Sequence, residues 1–147
     1  MRIAIGSDHG GYLLKEHLKK WLGQNKLAFD DFGADGPASV DYPDFGKHVA
    51  RAVVKGQYDF GIIICGTGIG ISIAANKVKG ARAALVYDEE TACLAKQHNN
   101  ANIIALGGRT TSNERAEQII KAYMNATYES RHQPRIQKIS DIEEEET

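Results

Sequence analysis

Cys65 heads the run Cys65-Gly66-Thr67-Gly68-Ile69-Gly70, a thiol followed by three glycines in five residues. Glycines spaced this way form a tight turn, and a turn that opens a helix presents free backbone N–H groups to an anion. A cysteine beside such donors is favoured as the thiolate, which can serve as nucleophile, metal ligand or base. Two other glycine-rich readings fail on single positions. A dinucleotide fingerprint requires glycine where the chain has Ile71 or, one register on, Ile73, and no Gly-Lys-Ser/Thr ending follows for a P-loop. NAD and ATP are therefore not implied, and no cofactor is expected. A ligand-free turn uses the same glycines, and most free cysteines are small buried apolar residues. Residue types alone leave these readings open.

Other groups could share the work. Asp8 and His9 stand before Gly10-Gly11, where either could also cap a helix. His98, in Gln97-His98-Asn99-Asn100, can move a proton or simply end a helix. Arg131, His132 and Arg135 form a basic group in which the two arginines, four apart, face the same way on a helix and could grip one phosphate through two guanidinium forks; a solvated helix face reads the same. No HExxH and no Cys/His cluster exists among the five histidines, so no metal site is expected. Cys93, between Ala92 and Leu94, is assigned to the core.

The elements that must position these groups alternate. Strands are expected at Arg2–Ile5, Ala28–Phe32, Phe60–Ile64, Arg82–Val86 and Asn102–Leu106. Helices are expected at Tyr12–Leu22, Phe45–Lys55, Ile71–Asn76, Glu89–Gln97 and Glu114–Tyr123, with a last one from Pro134 to about residue 146. In the first helix Leu14, Leu18, Trp21 and Leu22 share a face and Lys15, Lys19 and Lys20 lie away from it; in the second, Val49, Ala52 and Val53 point inward. The acidic run Glu143–Glu146 is read as a solvated terminus. Five strand–helix alternations predict a single-domain, three-layer α/β/α sandwich with a five-stranded parallel, Rossmann-like sheet. Ligands of such sheets bind beyond the carboxyl ends of the strands, where Asp8-His9, Cys65–Gly70 and Gly107-Gly108-Arg109 fall. His98 precedes a strand and so belongs to the opposite edge.

At 147 residues, with a formal net charge of -1, composition offers no argument for nucleic acid or an anionic membrane as partner. The opening stretch reaches Asp8 before any long apolar run, so neither signal peptide nor membrane span is expected. Two cysteines without a CxxC pair fit free thiols and a cytoplasmic location.

Taken together, Ser7-Asp8-His9-Gly10-Gly11, Asp41-Tyr42-Pro43, Cys65 through Lys77 (CGTGIGISIAANK), Gln97-His98-Asn99-Asn100-Ala101-Asn102 and Arg131-His132-Gln133-Pro134-Arg135 resemble the ribose 5-phosphate isomerase type B (RpiB/LacAB) family from end to end. The resemblance implies a metal-independent aldose–ketose isomerase, a sheet of order 2-1-3-5-4, and Cys65 as the base that moves a proton between C1 and C2. It implies that Gly66, Thr67, Gly68, Ile69 and Gly70 hold the enediolate oxygen and that His98 opens the furanose ring as acid. Asp8, His9, Asn99, Arg109, Arg131 and Arg135 would bind substrate, with Tyr42 lining the pocket. Because a five-residue strand spans about 17 Å, Cys65 and His98 would meet only across two copies of the chain. The resemblance thus implies a homodimer, or a dimer of dimers, with the last helix packing on the partner. One departure stands out: where the family reads Gly-Gly-Arg-His, this chain has Glu129-Ser130-Arg131-His132, one residue shorter, which re-aims the phosphate clamp. Isomerases of allose 6-phosphate or galactose 6-phosphate share the pattern, and a phosphosugar-binding module without turnover would keep the fold but need neither Cys65 nor His98.

Overall fold

The computed structural model describes the chain from Met1 to Thr147. Five short strands pair in parallel: β1 (Arg2–Ser7), β2 (Ala28–Asp31), β3 (Phe60–Cys65), β4 (Ala83–Leu85) and β5 (Ile103–Gly107), in the order β2-β1-β3-β5-β4. Every residue of β3 and β5, and all of β1 but Arg2, is buried. This is why these stretches read as unbroken apolar runs rather than alternating ones. The edge strands carry the compromises. β2 is Ala-Phe-Asp-Asp and β4 only three residues long, a short edge that offers little to a foreign strand.

Five helices cover the two faces, α1 (Tyr12–Gln24), α2 (Tyr42–Val54), α3 (Ile69–Ala75), α4 (Glu89–Gln97) and α5 (Asn113–Asn125), and a sixth, α6 (Gln133–Glu145), follows them. On one face Leu18 and Leu22 of α1, Ala92 of α4 and Ile119 and Ile120 of α5 close over Ile3, Ile62, Ile104 and their neighbours. On the other, Val49 and Val53 of α2 and Ile71 of α3 close over Ala4, Ile63, Cys65 and Ile103. The expected three layers and strand order are therefore present.

Several boundaries move by one to three residues. β1 runs on to Ser7, whose amide and carbonyl pair with Gly33 and Ala34. α2 begins at Tyr42 because Pro43, which needs no amide partner, suits a first turn. β4 shrinks at both ends. α4 matches the expected range residue for residue: Asp88 caps it and exchanges bonds with Thr91.

Three side chains depart from the sequence reading. Lys15, expected to face outward, is fully buried, its ammonium 2.8 and 2.7 Å from the Asp31 carboxylate oxygens; the counter-charge at the end of β2 makes the burial tolerable. Cys93, expected in the core, is half-buried and lines a surface groove with Glu89, Glu90 and Gln97, because α4 turns that flank toward solvent. The acidic tail is not simply solvated: Glu143 accepts from the Gly80 amide at 3.1 Å and Glu144 pairs with Lys79, tying α6 to the turn before β4.

Candidate active site

Register brings three carboxyl ends level. Ser7 lies opposite Ile64 and Cys65 opposite Gly107. Beyond them the loops pack backbone on backbone. Cys65 and Gly66 accept at their carbonyls from the amides of Gly108 (2.7 Å) and Arg109 (2.9 Å). The Asp8 amide donates to Ile64 O at 3.2 Å. A Cβ on Gly10 would stand 3.0 Å from the Gly66 nitrogen. Gly68 has φ +80°, and a Cβ there would meet the Leu106 carbonyl carbon at 2.9 Å, so only glycine fits.

Onto this base the side chains converge. The thiol of Cys65, itself buried, receives the Gly68 amide at 3.1 Å. Asp8 accepts from Gly11 N at 3.1 Å, capping the 3-10 turn His9–Gly11. His9 Nδ1 lies 3.2 Å from the amide of Val40, which donates to it. Tyr42 lays its ring over Gly70, with ring carbons 2.6 Å from where a Cβ would be. Arg109 holds its guanidinium over Gly66. Thr67 Oγ1 accepts from the Ile69 amide at 3.2 Å. Asp8, His9, Tyr42, Cys65, Gly66 to Gly70 and Arg109 thus gather at one end of the sheet.

The remaining expected residues gather at the other end. His98 is the C-terminal cap of α4, and Asn100, at φ +44°, turns the chain toward β5. Asn99 lines a groove of about 400 Å³ with Asn76, Arg82, Ile139 and Ile142. The Glu129 amide donates to Gln97 O at 3.0 Å, which docks the 3-10 turn Ser130–His132 on the end of α4. His132 is consequently buried, with its ring centroid 4.4 Å from that of His98. Arg135 Nη1 stands 3.0 Å from His132 Nδ1 and can only donate, so the ring proton sits on Nε2. Nε2 is buried with no partner at hydrogen-bond distance; Glu129 Oε1 is 3.8 Å away. That same oxygen takes Arg131 Nε at 3.1 Å and Nη2 at 2.8 Å. Burial, together with repulsion from Arg131, His98 and Arg135, holds His132 below the ordinary histidine range against the pull of Glu129.

Arg131 lies in the 3-10 turn and Arg135 in α6, and each is engaged within the chain, Arg131 by Glu129 and Arg135 by His132. Sequence spacing predicted no metal cluster, yet ligand atoms of His98, Glu129 and His132 lie within 4.8 Å of one another. Two guanidiniums already address this group, so its charge and donor set suit an incoming anion rather than a cation. His132 and Glu129 were absent from the expected site. The signal available was the placement of His132 between two arginines; nothing in the sequence announced its contact with His98.

The two halves lie at opposite ends of strands about 17 Å long, and neither alone holds all of the residues expected to form the site. No helix is long and apolar enough to cross a membrane.

Comparison with known proteins identifies the family and the fold. A family profile described as Ribose/Galactose Isomerase matches residues 3–139. The chain is 47% identical over 146 residues to the putative sugar phosphate isomerase YwlF of Bacillus subtilis, covering 98% of each. It is 42% identical over 144 residues to ribose-5-phosphate isomerase B of Escherichia coli, covering 97% of each. The solved structure of ribose-5-phosphate isomerase B from Clostridium thermocellum superposes with a TM-score of 0.98 at 48% identity, covering 100% of both chains. Matched across nearly its whole length in sequence and in fold, the chain belongs to the Ribose/Galactose Isomerase family.

Proposed function

We propose that this isomerase interconverts D-ribose 5-phosphate and D-ribulose 5-phosphate through a cis-enediolate, with Cys65 as base. The reading is carried by the Gly68 amide that donates to Cys65 Sγ at 3.1 Å, within a glycine-rich turn that opens α3. Aldose–ketose isomerisation removes a weakly acidic proton beside a carbonyl, and negative charge grows on the carbonyl oxygen. A positioned base contributes roughly 10²–10⁴ in rate, and each preorganised donor to the oxyanion roughly 10²–10³. Cys65 takes the proton from C2 and returns it to C1. Amides of Gly66 to Gly70 hold the enediolate oxygen, and Asp8, His9 and Tyr42 fix the sugar.

His98 protonates the ring oxygen as the furanose opens. It comes from a second copy of the chain, related by a two-fold axis, because its own copy holds it at the far end of the sheet. Asn99, Arg131 and Arg135 travel with it, so the last helix packs at this joint, and Arg109 meets the phosphate from the Cys65 side. The test is turnover of ribose 5-phosphate beside allose 6-phosphate and galactose 6-phosphate. Ribose 5-phosphate is expected to show the highest kcat/KM; preference for a six-carbon sugar phosphate, or no turnover of any, overturns the proposal.

A further inference from the structure

The buried Lys15 ammonium and the Asp31 carboxylate do not only neutralise each other. Asp31 Oδ1 accepts from Lys15 Nζ and from the Gly33 amide, both at 2.8 Å, while Oδ2 takes Lys15 at 2.7 Å and Lys19 at 2.8 Å. A buried ion pair is a weak source of net stability, since apolar side chains of similar volume commonly replace it without loss. Here the pair is aimed along the chain, at Gly33. That residue is a junction. Its carbonyl accepts from the Ser7 amide at 2.6 Å, and the next amide, of Ala34, returns to Ser7 O at 2.6 Å. Its φ is +99°, and the Phe45 ring covers it so closely that a Cβ would stand 2.8 Å from Cε1.

Each contact of Gly33 leads to a residue assigned above to the sugar. Ser7 precedes Asp8. Phe45 lies three residues after Tyr42, its neighbour on the first turn of α2. The loop that leaves Gly33 reaches Val40, whose backbone meets His9 Nδ1 at 3.2 Å. Asp8, His9 and Tyr42 therefore hang on one segment, residues 33–42, and the carboxylate of Asp31 holds its root.

We propose that Asp31 is a positioning residue for the substrate: through the Gly33 amide it sets the segment from which Asp8, His9 and Tyr42 hold the sugar phosphate, and buried Lys15 keeps the carboxylate in place. The inference rests on the sugar-phosphate reading given above and adds what stands behind its residues.

Two double variants of the full-length protein separate this role from a purely structural one. Lys15→Met with Asp31→Asn removes both charges and keeps an oxygen for the Gly33 amide. Lys15→Met with Asp31→Leu has nearly the same shape and no acceptor. Lys19, partly exposed, retains Glu16 at 2.9 Å in both. KM and kcat for ribose 5-phosphate are read beside the melting temperature. The Leu chain is expected to raise KM about ten-fold, the scale of one buried donor left unpaired. Its kcat should stay within about three-fold of wild type, because the sugar contacts serve ground state and transition state alike. The Asn chain should keep KM within about three-fold, with the two melting temperatures only a few degrees apart. Unchanged KM in the Leu chain overturns the proposal. Equal rises of KM in both chains overturn it too, and assign the pair to packing. A fall in kcat with KM intact places the effect at the reacting atoms and also overturns it. Should the Leu chain not fold, Lys15→Met with Asp31→Ala is read in its place, and failure of that chain as well assigns the pair to folding alone and overturns the proposal. A wild type that turns over no sugar phosphate sinks the functional reading and this proposal with it, whereas an active wild type with insensitive variants sinks the proposal alone.

Discussion

The amide of Gly68 points at the sulfur of Cys65 from 3.1 Å, three residues along the chain and across a left-handed turn. The proposed base and the proposed oxyanion donors thus share one loop, and the sulfur is held there by a backbone amide. Cys65→Ala should lower kcat by about 10³ with little change in KM, since the lost interaction is made chiefly in the transition state. Cys93→Ala, on a half-buried groove, should stay active. Steady-state kinetics of both variants decide the point: more than a tenth of wild-type activity in Cys65→Ala rules the thiol out as base.

The separation of His98 from Cys65 predicts complementation. Cys65→Ala and His98→Ala chains, each inactive, are unfolded together and refolded. In a mixed dimer one site inherits both defects and the other neither. Random pairing of equal amounts should restore about a quarter of wild-type sites. Absence of recovery, with mixed dimers demonstrated by mass spectrometry, would show that the two residues do not act across chains.

Chelation should leave activity intact. His98, Glu129 and His132 come close enough to hold an ion, but Arg131 takes Glu129 Oε1 and Arg135 faces His132 Nδ1, and the proton-transfer scheme needs no Lewis acid. Assay after exhaustive EDTA treatment is the check, and loss of activity restored by a divalent ion would falsify the scheme.

Asp31→Asn should destabilise the fold by about 3 kcal/mol, because it leaves the buried Lys15 ammonium with only Glu16, 3.4 Å away. The pH dependence has a definite sign. Burial works to raise the Asp31 carboxyl, but the bonds from Lys15, Lys19 and the Gly33 amide outweigh it and hold the group below the ordinary carboxylate value. Its contribution is therefore complete above about pH 4 and is lost as pH falls through the lower folded value. Urea midpoints of wild type and variant should converge on acidification below about pH 4.

Gly70→Ala should act through Tyr42. The added methyl would stand 2.6 Å from the tyrosine ring carbons, and Tyr42, 40% exposed at the start of α2, is the side that can give way. KM should rise several-fold while the melting temperature moves by only a few degrees, the scale of a displaced surface contact. A variant with unchanged KM would remove Tyr42 from the pocket.

Much of the fold was legible because near-continuous apolar runs such as Phe60–Ile64 fit central strands covered on both faces and because they alternate with amphipathic stretches. What escaped depends on partners remote in sequence. Helical periodicity turned Lys15 outward, yet Asp31, sixteen residues on, draws it inside. The Cys65 loop and Asp8-His9 could be placed at one sheet edge from topology alone. His132 could not be placed, because its burial follows from one backbone bond, Glu129 N to Gln97 O, that joins a turn to a helix end.

The interlocking of Gly10, Gly66 and Gly108 bears on how such an enzyme can change. Gly10 faces the backbone of Gly66, Gly108 faces that of Gly10 and Gly11, and Gly66 lies under the Arg109 side chain, so a side chain at Gly10 or Gly108 would need movement in a distant segment as well as its own. Point mutation cannot explore that. Variation in substrate preference is left to side chains that project from helices and turns, such as Tyr42, Asn99 and the Glu129–Arg135 segment. A library aimed at longer sugar phosphates should therefore fix the glycine loops and diversify those positions alone.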